Sequence, residues 1–208
     1  MRAPVDRSVS RRAFMTAIVA AVALTSAAPA RAAAADAEEL IRHTVDAVFV
    51  VLRDAELAKD RPRRMQRLRD VIDPVFDWTL MAQSSLGPHW RKLSDAERAE
   101  FVRVFRELLA QRYMQDIDRF RGSEQVLVRG SDTVEDTIRV NTVLVTSSRE
   151  RIPIDYFLQA EARGLQVVDF AVENVSLVNH YRATFSRFLV NRPFGELLRQ
   201  LQQKLKPA

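Results

Sequence analysis

The feature that most constrains this chain is a change of period near Gly122. Before it, apolar residues recur at helical spacing: Phe101, Phe105, Leu108, Leu109, Tyr113, Ile117 and Phe120 fall on one face. After it they alternate. Ile152, Ile154, Tyr156, Leu158 and Ala160 interleave with Arg151, Pro153, Asp155, Phe157, Gln159 and Glu161, the pattern of a strand with one buried face. Pro153 cannot donate to a ladder, which argues for an edge or a bulge there. Arg163-Gly164 turns this strand into a second over residues 165–172. Two more strands are expected at 125–129 and 133–146, joined by a turn at Gly130-Ser131-Asp132. Helical spacing returns over 177–190 and 193–205 after a turn at Glu173-Asn174. Helices, then about four antiparallel strands, then helices make an α+β chain. A curved sheet with helices against one face can enclose a cavity.

The helices upstream carry their own start and stop signals. Asp36 can cap a helix with apolar positions at Leu40, Ile41, Val45, Val48, Val51 and Leu52. Asp73-Pro74 reads as a cap followed by a first-turn proline, and Gly87-Pro88 as a stop. Ser94-Asp95-Ala96-Glu97 is a capping box opening the longest helix. The basic run 61–69 reads as a solvated helix face, with a dock for an acidic membrane partner as the alternative.

The first 32 residues are set apart from the fold. Ser10-Arg11-Arg12-Ala13-Phe14-Met15 fits a twin-arginine export motif, an alanine-rich apolar run follows, and Ala30-Arg31-Ala32 has small residues where a signal peptidase requires them. An export signal over 1–32 and a single domain over 36–205 are therefore expected. The formal charge of +5 belongs mostly to that leader: Arg2, Arg7, Arg11, Arg12 and Arg31 against Asp6 leave the remainder near neutrality. The charge is not read as a nucleic-acid signal. The absence of cysteine excludes disulfides and thiolate metal sites.

Catalytic patterns are missing. His43, His89 and His180 form no metal-ligand spacing, and each reads as structural or exposed. Ser148 and Ser176 lack a nucleophile elbow. The glycines stand singly and form no phosphate-binding loop. Asp54 and Glu56 read as solvated charges. Asp155 and Asp169 lie on facing strands, a pairing that any sheet can present.

Several ordered blocks nevertheless resemble one family. Phe76-Asp77 with Met81-Ala82 and Leu86-Gly87-Pro88-His89-Trp90-Arg91, then Leu93-Ser94 with Arg98, Phe101, Phe105 and Leu109, are similar to successive segments of the MlaC family. So are Ile154-Asp155-Tyr156, Val168-Asp169, and Val175-Ser176-Leu177-Val178-Asn179-His180-Tyr181-Arg182 with Phe185, followed by Gly195, Leu197, Leu198 and Leu201. The chain departs from the family at Asn174, where glycine is usual, and at Leu165, where tryptophan is frequent. The resemblance implies a periplasmic phospholipid carrier, the toluene-tolerance type of ABC-transporter auxiliary protein. It shuttles lipid between an outer-membrane lipoprotein complex and an inner-membrane ABC transporter, with no catalysis, no nucleic acid and no cofactor apart from the lipid cargo. A hopanoid-associated branch has similar sequences. The pocket residues expected on this basis are Phe105, Leu109, Val143, Ile154, Tyr156, Leu158, Val168, Phe170, Val172 and Tyr181, with Arg182 at the head group. Two other readings compete: an adaptor that contacts membrane complexes through the basic helix, and an exported hydrolase that would need Ser176.

Overall fold

Alanine dominates residues 32–35 and nothing there breaks a helix, so Asp36 lies inside a helix instead of capping one. In the computed structural model, which describes residues 27–120 and 122–206, helix α1 is continuous over Ala27–Arg53. The twin-arginine motif and apolar run of the expected leader lie outside the described residues. Helix α2 (Arg61–Ile72) carries Pro62 in its first turn, and the Asp60 side chain accepts from the Arg63 N–H at 3.0 Å.

Asp73-Pro74 opens only one tight turn, because the sheet captures the next residue. Phe76 is extended and forms a parallel bridge to Val167, and the Asp77 N–H donates to the Val167 carbonyl at 2.9 Å. Helix α3 (Trp78–Leu86) therefore starts four residues beyond Pro74. Its cap is Asp77, whose carboxylate accepts from the Leu80 N–H at 2.8 Å. Gly87 ends it at a φ of 56°, a conformation that costs other residues more. Helix α4 (Asp95–Leu109) opens on the Ser94–Glu97 capping box. The helical face expected to continue to Phe120 is interrupted by a π-helical turn, Ala110–Met114, before a short helix α5 (Gln115–Asp118). The wider turn re-phases the apolar face between α4 and α5.

The sheet is a simple antiparallel meander of five strands in chain order: β1 (Gln125–Val134), β2 (Thr137–Val145), β3 (Arg151–Glu161), β4 (Gly164–Val172) and the two-residue β5 (Val175–Ser176). Its first reversal falls at Glu135-Asp136, not at Gly130–Asp132. Glu135 takes a φ of 52°, and the Thr137 hydroxyl closes the loop by donating to the Val134 carbonyl at 2.7 Å. Gly130 instead sits at a register shift inside β1. Glu173 and Asn174, at φ 50° and 65°, make the last two-residue reversal and so add β5. Pro153 lies in central β3, beyond the end of β4, where no ladder bond to β4 is required of it.

Helices α6 (Leu177–Leu189) and α7 (Phe194–Lys204) close the chain against α3 and α4. This helical layer is a closed core built on Met81, Leu86, Phe101, Phe105, Phe185 and Leu201. A smaller core, Ile41, Val140, Leu158 and Val167, joins α1 to one end of the sheet. A third joins α1, α2 and the π turn through Phe49, Leu52, Leu68 and Met114.

Candidate functional site

Alternation along β2, β3 and β4 puts Leu144, Ile152, Ile154, Tyr156, Phe170 and Val172 on the inner face of the sheet. Helices stand over this face without filling the space beneath them. The result is a cavity of about 440 Å³, within the range of ligand pockets. Helix α1 contributes Ile41, Val45, Val48 and Phe49 to its wall. The segment between α2 and α3 contributes Val75 and Phe76, the first residue of α3 contributes Trp78, and the π turn and α5 contribute Tyr113, Met114 and Ile117. Rings brace the wall. Phe76 stacks on Trp78 at 5.0 Å, and Phe170 meets Phe76 at 6.2 Å and Tyr113 at 5.3 Å edge-on.

Charge pairs anchor the helices away from the sheet. Asp118 of α5 accepts from Arg61 Nε at 2.8 Å and pairs with the buried Arg64 at 2.5 Å, both on α2. Burial opposes ionisation of Asp118, but the two guanidinium groups outweigh it and hold its carboxyl below its ordinary value. Arg69 of α2 grips Glu107 of α4 through two bonds of 2.7 and 2.8 Å. The basic run is thus partly internal: Arg61, Arg64 and Arg69 tie α2 to its neighbours, while Arg63 and Arg67 face solvent.

Of the ten apolar positions expected at a pocket, Leu109, Ile154, Tyr156, Phe170 and Val172 line this cavity. Five lie elsewhere. Phe105 and Tyr181 meet ring to ring at 5.4 Å in the helical core. Leu158 is sealed in the core between the sheet and α1. Val143 is on the opposite face of β2, in register with Leu127 and Pro153. Val168 is displaced by a bulge between Phe157 and Leu158, which pairs Leu158 with Val167, and Val167 joins the inner core. Arg182 donates to the Ser84 carbonyl at 2.7 Å, so it satisfies the end of α3. The lining residues of α1 and the Phe76–Trp78 pair were not foreseen. Their apolar spacing marks a buried face but not what that face meets.

The candidate catalytic groups are committed to structure. The Ser176 hydroxyl donates to Asp169 and accepts from the Asn179 N–H at 3.1 Å, capping α6. Asp169 also accepts from the Val178 N–H at 3.0 Å, and burial still raises its carboxyl above its ordinary value. Asp155 pairs with Ala171 in the ladder and not with Asp169. Among the described residues no group of three or more His, Asp or Glu could hold a metal ion. No described helix is long and apolar enough to cross a membrane.

A curved antiparallel meander with helices over an apolar cavity defines an α+β protein with a pocket between its sheet and its helices. Residues 42–203 match the MlaC protein family, and the chain belongs to that family. Its fold is shared by the phospholipid-binding protein of Ralstonia solanacearum, whose structure was solved in complex with a phospholipid. The TM-score is 0.74 at 19% identity, over 81% of this chain and 96% of that one. No curated protein matches the chain.

Proposed function

We propose that this protein is an exported carrier that encloses phospholipid and moves it through the periplasm, between an outer-membrane lipoprotein complex and an inner-membrane ABC transporter, without catalysis. The observation that carries the reading is the cavity of about 440 Å³, walled almost wholly by apolar side chains. Apolar side chains that line an unfilled pocket stay in contact with water and forgo the free energy of burial, about 25 cal/mol per Å² of apolar surface. Such a space is best explained by a ligand that fills it. Membership of the MlaC family and the phospholipid-binding neighbour support a lipid as that ligand.

The physical need for a carrier is large. Exposing an acyl chain to water costs about 0.8 kcal/mol per CH₂, on the order of 20 kcal/mol for two ordinary chains. A cavity that supplies equivalent apolar contacts removes most of that barrier. It must not hold lipid much more tightly than a bilayer does, or delivery stops. Native mass spectrometry of the exported protein, with lipid extraction of the same sample, tests the reading. Near-stoichiometric phospholipid is expected. Protein that carries no lipid, and takes none from liposomes, overturns it.

A further inference from the structure

Among the described residues, six side chains of the cavity wall carry a polar atom, and four are already engaged. The Thr44 hydroxyl donates to the Leu40 carbonyl at 2.7 Å, and Trp78 Nε1 donates to the Asp73 carbonyl at 3.2 Å. The Asp73 carboxylate is bonded by Arg106, and Asp116 is paired with Arg119 at 3.2 Å. The remaining two are the phenols of Tyr113 and Tyr156, which make no hydrogen bond to any described residue.

These two belong together. Phe170 is directly opposite Tyr156 in the β3–β4 register, on the same face. The Tyr113 ring meets the same Phe170 edge-on at 5.3 Å. Two tyrosines therefore pack against one phenylalanine in a wall whose other polar side chains are already engaged. Burial pushes the Tyr156 phenol up to about 12 and raises that of Tyr113, so both keep their protons at physiological pH. A buried hydroxyl facing only methylene groups is destabilising, and phenylalanine would serve a plain alkyl chain better. A phosphate would call for an uncommitted arginine or lysine, and no such side chain stands among the described residues of this wall. Neutral donors match neutral acceptors.

We propose that the Tyr113 and Tyr156 hydroxyls donate hydrogen bonds to the ester carbonyl oxygens of the bound lipid, making the cavity selective for ester-linked glycerolipids. Two carbonyls stand close together where the chains of such a lipid join its glycerol. The inference rests on the lipid-carrier reading and adds the chemical group that the cavity recognises.

The test compares delipidated wild-type protein with a Tyr113→Phe/Tyr156→Phe double variant. Three probes are used: dipalmitoyl phosphatidylcholine, its dihexadecyl ether analogue, which lacks both carbonyls, and the triterpenoid alcohol diplopterol. Two neutral hydrogen bonds should make wild type prefer the ester over the ether by about tenfold. The double variant should bind both alike, with its thermal unfolding unchanged. Equal binding of ester and ether by wild type overturns the proposal, as does a preference that survives in the double variant. Both outcomes leave the carrier reading intact, because lipid still binds. A loss confined to diplopterol transfers the phenols to a hydroxylated ring lipid and overturns ester recognition. Refusal of every probe by wild type overturns the carrier reading and the proposal together.

Discussion

The helical layer and the sheet's inner face are built from the same kinds of residue and end in opposite states. In the layer of α3, α4, α6 and α7, Phe101, Phe105 and Phe185 are at most 2% exposed. Their ring centroids lie 5.7 to 6.2 Å apart. Side chains close over one another because helices pack at contact distance from both sides. Over the sheet, Ile152, Ile154, Tyr156, Phe170 and Val172 point into open volume. The helices above them are tied to one another, α5 to α2 by Asp118 and α4 to α2 by Glu107. An apolar side chain is drawn out of water in both places. Whether it meets a neighbour or open space depends on how closely the covering helices approach it.

Phe105→Ala is the largest test of this contrast. Phe105 is fully buried between Phe101, Tyr181 and Phe185, so its truncation should cost about 3–5 kcal/mol, read as a lower urea midpoint. Lipid bound per folded molecule should not change. A loss of lipid without a loss of stability would merge the two regions and break the comparison.

Asp118→Ala comes next, at about 3 kcal/mol, because it leaves the buried Arg64 without its partner. It should also loosen α5 over the cavity, visible as faster amide exchange in residues 110–118. The pH dependence has a definite sign. The folded-state carboxyl of Asp118 titrates below its ordinary value, so its stabilising contribution is full above about pH 4 and is lost as pH falls further. Asp118→Asn should flatten the fall of stability with acid in that window. An unchanged slope would remove the pair from the account of how α5 is held.

Ile154→Phe should do the reverse of Phe105→Ala. The added ring enters open space, so stability should stay within about 1.5 kcal/mol. Phospholipid uptake measured by native mass spectrometry should fall severalfold. A large loss of stability would mean that the inner face packs like the helical core.

Much of this architecture is legible in the chain, and the limits have physical causes. The switch from helical to alternating period gives the α+β order, and the pattern on β3 correctly orients Ile152, Ile154 and Tyr156 inward. Alternation fails one strand later, because a single bulge re-phases β4 and substitutes Val167 for Val168. Nothing in local spacing announces a bulge there. Gly130 misplaced the first reversal for a related reason: a glycine can serve a bulge as readily as a turn. The cavity wall was half legible. A sealed core and a cavity wall bury the same residue types, so Phe105 and Ile154 are indistinguishable by sequence. Separating them requires the tertiary placement of the helices, which rests on long-range contacts such as Arg61–Asp118 and Arg69–Glu107, between residues 57 and 38 positions apart.

Arg182→Ala is the smallest effect and bears on both regions. Arginine beside the family's most recognisable block suggests a head-group ligand. In the structure its Nε donates instead to the Ser84 carbonyl, and its Cδ lies 4.0 Å from where a Cβ would stand if Gly87 carried one. The side chain therefore ties α6 to the end of α3 on the outer side of the helical layer. Removing one exposed hydrogen bond should cost under about 1 kcal/mol and should leave uptake of both zwitterionic and anionic phospholipid unchanged. If anionic lipid alone were lost, Arg182 would reach the head group of bound cargo. The cavity would then extend past the wall formed by Phe170 and Val172, and the boundary between the closed layer and the open one would have to be redrawn through α6.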